Sequence, residues 1–265
     1  MLINVMVLVW EKFEDTKKCL YAVREEFKSI VNMGNKAKVI IVDNGSHNEM
    51  QDWIQDFVRE DELALRDVKY IRNVKNMGIS IGRNQALQLV DKEVGYLIML
   101  DGDITPVKGS FMAMANYMKD FNKSNSIQCG CLGAASYQYV TKPGEATQEI
   151  HEIRKVDEGQ QLGGVSGAPI AWTQFGIFIG SLFTDNKIKF VDEGVFGLPG
   201  YGYEDDIFAL SILNRGYRIL RFTDIYYYHH LDPQMCHNGS LSMEERRLGE
   251  RKALALKIIQ EKRVP

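Results

Sequence analysis

YLIMLDGDI, residues 96–104, is the stretch on which the fold turns. Tyr96 to Leu100 form a continuous apolar run of strand length, as a strand buried on both faces would. The run passes without a spacer into Asp101-Gly102-Asp103, so two carboxylates sit one residue apart just past a strand end. On the amino-terminal side, Ile81 to Val90 reads as a helix with Leu87 and Val90 on one face, and residues 67–72 read as a strand. Before them come a helix from Met50 to Val58 and a strand in AKVIIVDNGS, 37–46, which ends in turn chemistry. Residues 14–33 place Cys19, Val23, Phe27, Ile30 and Val31 at helical spacing, and residues 2–9 form a second run suited to a strand buried on both faces. Strand and helix alternating this closely imply parallel pairing with right-handed crossovers, hence an α/β fold with a mostly parallel central sheet flanked by helices. Ligands of such sheets bind at the carboxyl ends of the strands.

Toward the carboxyl terminus the pattern loosens. A helix is expected near 109–121, followed by a Gly- and Ser-rich stretch, Cys129 to Ser136, and a polar segment, 141–161, read as a mobile loop that orders when a ligand binds. Strand signal returns at 175–183. FVDEGVFGLPGYGYEDD, 190–206, then opens a helix to about Asn214, which Gly216 stops. Tyr217–Phe222 and Ile225–Tyr228 read as two further strands, and 243–263 as an amphipathic helix. With no repeat and no linker, the expectation is one domain over 1–235, with 236–265 as a carboxyl-terminal amphipathic helix packed on it.

Composition narrows the class. The 265 residues carry 32 Lys and Arg against 35 Asp and Glu, a formal charge of −3, which lacks the positive excess of a nucleic-acid-binding chain. Charged residues at 25% and hydrophobic residues at 45% exclude disorder and coiled coil as the main character. Four cysteines are too few for a disulfide framework, and Cys129-Gly130-Cys131 lacks the spacing of a zinc site. No run approaches the roughly twenty apolar residues of a membrane span. The apolar start, LINVMVLVW, lacks the flanks of a signal peptide, so a cytoplasmic protein without a transmembrane segment is expected.

Five features carry chemistry. Asp101 and Asp103 are hard oxygen donors suited to Mn²⁺ or Mg²⁺ carrying a diphosphate, although an ordinary Asp-Gly turn would use the same residues. Asp43, at the end of the second strand, could accept hydrogen bonds from a base or ribose, or could simply open an Asn-Gly turn. NMGISIGRNQAL, with Asn76, Gly78, Arg83 and Asn84, offers backbone N–H groups and an Arg at a helix start, as an anionic phosphate needs. It lacks the spacing of a P-loop or a dinucleotide fingerprint. GYGYEDD, 200–206, puts Glu204, Asp205 and Asp206 in a first helical turn beside Tyr201, more acids than capping requires. His229 and His230 end a strand, and alternation sends at most one of them into a site.

The order of these clusters resembles the GT-A fold glycosyltransferases over residues 2–233, most closely the family-two-like inverting enzymes, with a galactosyltransferase-type G-x-G-x-E-D segment. The resemblance implies a metal-dependent inverting transfer from a nucleotide-sugar, a UDP-sugar first, to an acceptor hydroxyl. It implies nucleobase contact by Asp43 and a nucleotide site lined by Asn76, Gly78, Arg83 and Asn84. Asp101 and Asp103 would hold Mn²⁺ or Mg²⁺ on the diphosphate, with His230, in Y-H-x-x-P-like spacing, completing the shell. Asp205 would be the general base, with Glu204 and Asp206 gripping the acceptor over Tyr201, which replaces the usual Trp. The acceptor could be a glycan, a lipid-linked sugar, a protein, or a hydroxylated base in phage DNA. The competing readings are a nucleotidyltransferase, which would want a Gly-rich basic loop where this chain has WEKFED, and a non-catalytic nucleotide-sugar-binding protein.

Overall fold

The computed structural model describes residues 1–60, 67–140, 174–190 and 204–231, with backbone alone at 60, 135–140, 206, 222–224 and 231. The elements, in chain order, are β1 (Leu2–Val9), α1 (Phe13–Asn32), β2 (Lys36–Asp43), α2 (Asn48–Glu60), β3 (Val68–Arg72), α3 (Ile79–Leu87), β4 (Tyr96–Asp101), β5 (Ile104–Pro106), α4 (Ser110–Ser124), β6 (Cys129–Val140), β7 (Phe175–Ile179), α5 (Ser181–Thr184), α6 (Glu204–Leu213) and β8 (Arg218–Leu231).

The strands form one eight-stranded sheet in the order β3-β2-β1-β4-β7-β6-β8-β5. Parallel pairing joins β1 to β2, β1 to β4, β2 to β3 and β6 to β8. β7 runs antiparallel between β4 and β6, and β5 runs antiparallel to β8. The mostly parallel α/β sheet expected from the sequence is therefore present, with antiparallel strands confined to its second half.

Strand alternation divides the core in two. Val5, Val7, Val9, Val39 and Ile41 face one side, against Cys19, Leu20, Val23, Phe27 and Ile30 of α1 and Phe111, Met114 and Met118 of α4. Met6, Leu8, Ile40, Val42, Leu97 and Met99 face the other, against Ala86 of α3 and Phe208, Ala209 and Ile212 of α6. Both faces of β1, β2 and β4 are covered, which is why their sequences read as unbroken apolar runs.

Several boundaries differ from the sequence reading, each for a physical reason. Val31, assigned to the apolar stripe of α1, is 45% exposed, because the buried stripe ends at Ile30. Cys129–Ser136, read only as Gly- and Ser-rich, belongs to β6, where Gly130 leaves room for its neighbours: a Cβ there would stand 2.8 Å from Tyr217 Cβ and 2.9 Å from Ile212 Cγ2. The two strands expected at 217–228 are one, β8, whose pairing with β6 steps from Ala134↔Phe222 to Ala135↔Tyr226 and so absorbs the intervening residues as a bulge. Gly216 closes the turn after α6 at φ +82°, as expected of a helix stop. Cys19, Cys129 and Cys131 are buried free thiols. Among the described residues no helix is long and apolar enough to cross a membrane. The 141–161 segment and the helix of 236–265 lie outside the described residues.

Candidate active site

Asp43, Asp101 and the 76–84 segment meet at the carboxyl edge of β1, β2 and β4. Gly102 makes the edge compact: a Cβ on it would come within 2.8 Å of Val9 Cγ1 and 3.1 Å of Val9 Cα. The close approach it permits is thus between the ends of β4 and β1. Its N–H donates to Leu8 O at 2.8 Å and fixes the turn that carries Asp101 and Asp103.

Asp43 is fully buried, and its carboxylate is taken up inside its own loop. Oδ1 accepts the Ser46 N–H at 2.8 Å, Oδ2 accepts the Tyr70 hydroxyl at 3.1 Å, and Arg72 Nε lies 3.4 Å away. Asn44, not singled out by the sequence reading, is the stitch between this loop and the next. Its Nδ2 donates to Asn76 Oδ1 and Gly78 O, while its Oδ1 accepts from Asn73 Nδ2 and the Met77 N–H. Gly45, at φ +85°, sits so close to the second loop that a Cβ would stand 2.3 Å from the Lys75 carbonyl carbon. Gly78, at φ +89°, then starts α3.

Arg83, one turn into α3, is 2% exposed and pairs with two carboxylates. Its Nη2 donates to Asp101 Oδ1 at 2.9 Å and its Nη1 to Asp205 Oδ1 at 3.0 Å, so one guanidinium joins the end of β4 to the first turn of α6. Burial works against the Arg83 charge, but Asp101, Asp205 and the buried Glu204 outweigh it and raise its pKa. Asn84 docks the neighbouring chain: its Nδ2 donates to Phe190 O at 3.0 Å and its Oδ1 accepts the Phe190 N–H at 2.8 Å. The Phe190 ring stacks on Phe208 of α6 with centroids 4.1 Å apart, and the Arg83 guanidinium lies over the same ring at 5.2 Å. Arg83 and Asn84 together seat α6, and with it Asp205, against the sheet edge.

The two acids of the Asp-Gly-Asp turn have different electrostatics. Burial pushes the Asp101 carboxyl up to about 6, with Arg83 opposing and Asp103 and Asp205 adding to the rise. Burial also acts on Asp103, but the His229 imidazole and the Lys12 ammonium overcome it and hold that carboxyl down at about 2. His229 Nε2 lies 3.4 Å from Asp103 Oδ2, while its buried Nδ1 has no hydrogen-bond partner among the described residues. His230, the residue put forward as ligand, points to the opposite face: its Nε2 is 3.0 Å from Thr105 Oγ1 and its Nδ1 3.8 Å from Asp15 Oδ1. Strand alternation in β8 separates the two rings, and it is His229 that faces the acid turn.

Lys12 was not anticipated. Its Nζ donates to Asp103 Oδ2 at 2.8 Å and to His230 O at 3.1 Å. Both Glu11 and Lys12 have φ 52°, a left-handed pair of non-glycine residues between β1 and α1 that costs on the order of 1–2 kcal/mol per residue. The turn is tied down by the Glu11 N–H donating to Ser46 Oγ at 3.1 Å and by the contact of the Glu11 carboxylate with the His47 ring. The one signal in the sequence was a lysine three residues past a buried strand at the ligand-binding edge.

Among the described residues, no group of three or more His, Cys, Asp or Glu side chains is placed to hold a metal by protein ligands alone. A cation carried on a diphosphate needs fewer, since Mg²⁺-type sites commonly use one or two carboxylates plus phosphate oxygens and water. An ionised Asp103 beside His229 fits that donor set. Glu204 and Asp205 open α6; of Asp206 only the backbone in α6 is described, and Tyr201 and the Asp232-Pro233 end of the His segment lie outside the described residues.

The sequence profile of "Glycosyl transferase family 2" matches residues 5–155, more than half of the chain, and the chain belongs to that family. No curated protein matches the sequence. Among solved structures, TarS 1–349 of S. aureus in complex with UDP superposes with a TM-score of 0.62 at 18% identity, over 88% of this chain and 62% of that one. The mannosyltransferase PcManGT of Pyrobaculum calidifontis, in complex with GDP-Man and Mn²⁺, gives 0.63 at 16% identity, over 96% and 64%. GalNAc-T7 with UDP, GalNAc and Mn²⁺ gives 0.56 at 15%, over 87% and 44%. The chain therefore spans less than two thirds of the length of these proteins, and the likeness establishes the GT-A fold.

Proposed function

We propose that this chain transfers a sugar from a nucleotide-sugar donor, a UDP-sugar first, onto an acceptor hydroxyl with inversion at the anomeric carbon. The observation that carries this reading is the Arg83 bridge, which sets an acid of α6 beside the acid turn of β4 although the two are far apart in sequence. Family membership and the UDP- and GDP-Man-bound neighbours support a nucleotide-sugar donor. The base would lie over the 43–46 loop that Asp43 and Asn44 hold rigid, and the diphosphate would approach Asp101 and Asp103 past Gly78.

Asp103 and His229 would hold a Mn²⁺ or Mg²⁺ ion, with Asp101 beside them, and a bound ion there supplies charge neutralisation of the leaving diphosphate. Asp205 takes the proton from the acceptor hydroxyl as its oxygen attacks the anomeric carbon. The bond from that carbon to the diphosphate oxygen breaks, and the nucleoside diphosphate leaves with the electron pair. One base and no nucleophile suffice for this single displacement, hence inversion. Arg83 positions Asp205 and Asp101 relative to each other, while Glu204, Asp206 and Tyr201 are assigned to the acceptor side. The acceptor classes considered are a glycan, a lipid-linked sugar, a protein and a hydroxylated DNA base.

The deciding experiment incubates the protein with UDP-sugars and Mn²⁺ and follows nucleotide products. Release of UDP without pyrophosphate supports sugar transfer. Pyrophosphate release from a nucleoside triphosphate and a sugar phosphate would instead favour a nucleotidyltransferase, and donor binding without turnover in any acceptor class would favour a non-catalytic binding protein.

A further inference from the structure

Resting on the metal-assisted reading above, we propose that Lys12 is a resident counter-cation of the acid turn, which makes binding of the divalent cation conditional on the nucleotide diphosphate. Lys12 lies three residues past the end of β1, in a left-handed turn that three side chains secure: Ser46 accepts the Glu11 N–H, Glu11 contacts His47, and the Thr16 hydroxyl donates to Glu11 O at 3.4 Å. The Thr16 N–H meets Lys12 O at 2.9 Å, so the same turn starts α1. A strained backbone so secured fixes where the lysine stem begins.

Its ammonium lands on the same Asp103 oxygen that His229 Nε2 approaches at 3.4 Å. A divalent ion ligated by that oxygen and by His229 would stand within a few ångströms of the ammonium, where like charges repel strongly in a partly desolvated pocket. The two cations exclude each other at Asp103. Among the described residues, Arg83 answers Asp101 and Asp205, while Lys12 shares Asp103 with His229 and is the ammonium in direct hydrogen-bond contact with it. The Lys12 side chain is 24% exposed, so its head can swing off Asp103. The partner that would compensate it is an anionic phosphate oxygen of the donor arriving at the same edge. Metal and diphosphate then bind as a linked pair, and linkage requires that each raise the affinity of the other by the same factor.

The test is calorimetric and needs no turnover. MnCl₂ is titrated into the wild-type chain and into K12M and K12R, and UDP is titrated with and without saturating Mn²⁺, with melting curves confirming that each variant is folded. In the wild type, Mn²⁺ alone should bind weakly and should raise UDP affinity by about tenfold or more. K12M should bind Mn²⁺ alone about tenfold more tightly than the wild type and show correspondingly weaker coupling to UDP, while K12R, which keeps the charge, should retain wild-type coupling. Equal or weaker Mn²⁺ binding by K12M overturns the proposal and leaves the metal reading intact. Absence of Mn²⁺ binding by every variant, with UDP or without it, overturns the metal reading itself and this proposal with it.

Discussion

Replacing Arg83 by Met removes the cation on which the site geometry depends. The guanidinium is 2% exposed and meets Asp101 at 2.9 Å and Asp205 at 3.0 Å. Unit charges centred about 4 Å apart attract by about 4 kcal/mol at an effective dielectric constant of about 20, so the two pairs together supply about 8 kcal/mol. Against that stands a desolvation cost of several kcal/mol per ion. Methionine has the stem but no charge, and it leaves Asp101 and Asp205 facing each other with nothing between them. Removing one partner of a buried ion pair costs about 3–5 kcal/mol, and R83M is expected to lose that much in urea unfolding. Domains carry about 5–15 kcal/mol, so a folded population remains to be assayed. The same change removes the positive charge that opposes the rise of the Asp101 carboxyl, which burial already lifts to about 6. Its pKa rises further in R83M, and the acidic limb of Mn²⁺-dependent UDP binding moves to higher pH. The double variant R83M/D205N should recover part of the lost stability, because the second carboxylate no longer carries charge. A loss under about 1 kcal/mol, of the size of a surface pair, together with an unmoved pH profile would refute the bridge as the organiser of the site.

Other predictions follow from single contacts. D205N should keep UDP-sugar affinity while transfer falls by about 10²–10⁴-fold, read as a kcat loss; near-normal turnover would reduce Asp205 to a helix cap. Asp103 is held at about 2, below its ordinary 3.8, so it contributes stability above about pH 3.8 that is lost as pH falls toward 2. The stability gap between the wild type and D103N, about 2 kcal/mol at pH 6, should therefore shrink by pH 3, and a gap independent of pH would contradict the ionised reading. Glu26, buried on α1, accepts the Gly109 and Phe111 N–H groups at the start of α4. E26A should cost about 1–3 kcal/mol in thermal or urea unfolding by orphaning both donors, with E26Q intermediate.

How much could be read in advance depended on whether the signal was local. β1, β2 and β4 were legible because burial on both faces turns a strand into an uninterrupted apolar word. β6 was not, because Gly130 and Gly133 have low strand propensity and Gly130 is small to admit neighbours that only the tertiary fold supplies. β5 has three residues, too few for any period to show. At the site, Asp43, Asp101, Asp103 and Arg83 could be picked out as residue types after strands or at a helix start. Their roles toward one another could not. That Arg83 also pairs with Asp205, 122 residues away, could not be read from its motif. His229 and His230 could not be told apart without the face of β8, and Lys12 reaches Asp103 across 91 residues, beyond any motif.

The ends of the sheet have a consequence for the molecule's behaviour in a crowded solution. In the order shown by the described residues, the sheet terminates at β3 on one side and β5 on the other. An open edge is a template for another strand, and cells penalise long, flat, apolar ones through aggregation. Neither edge here is of that kind. β5 ends at Pro106, which has no N–H to offer an incoming chain. β3 is only five residues long and carries Lys69 and Arg72, whose charges would be trapped by a neighbour laid alongside. A sheet of eight strands thus closes itself to strangers with one imino acid and two cations, and its one rich source of hydrogen-bonding ladders stays inside the molecule.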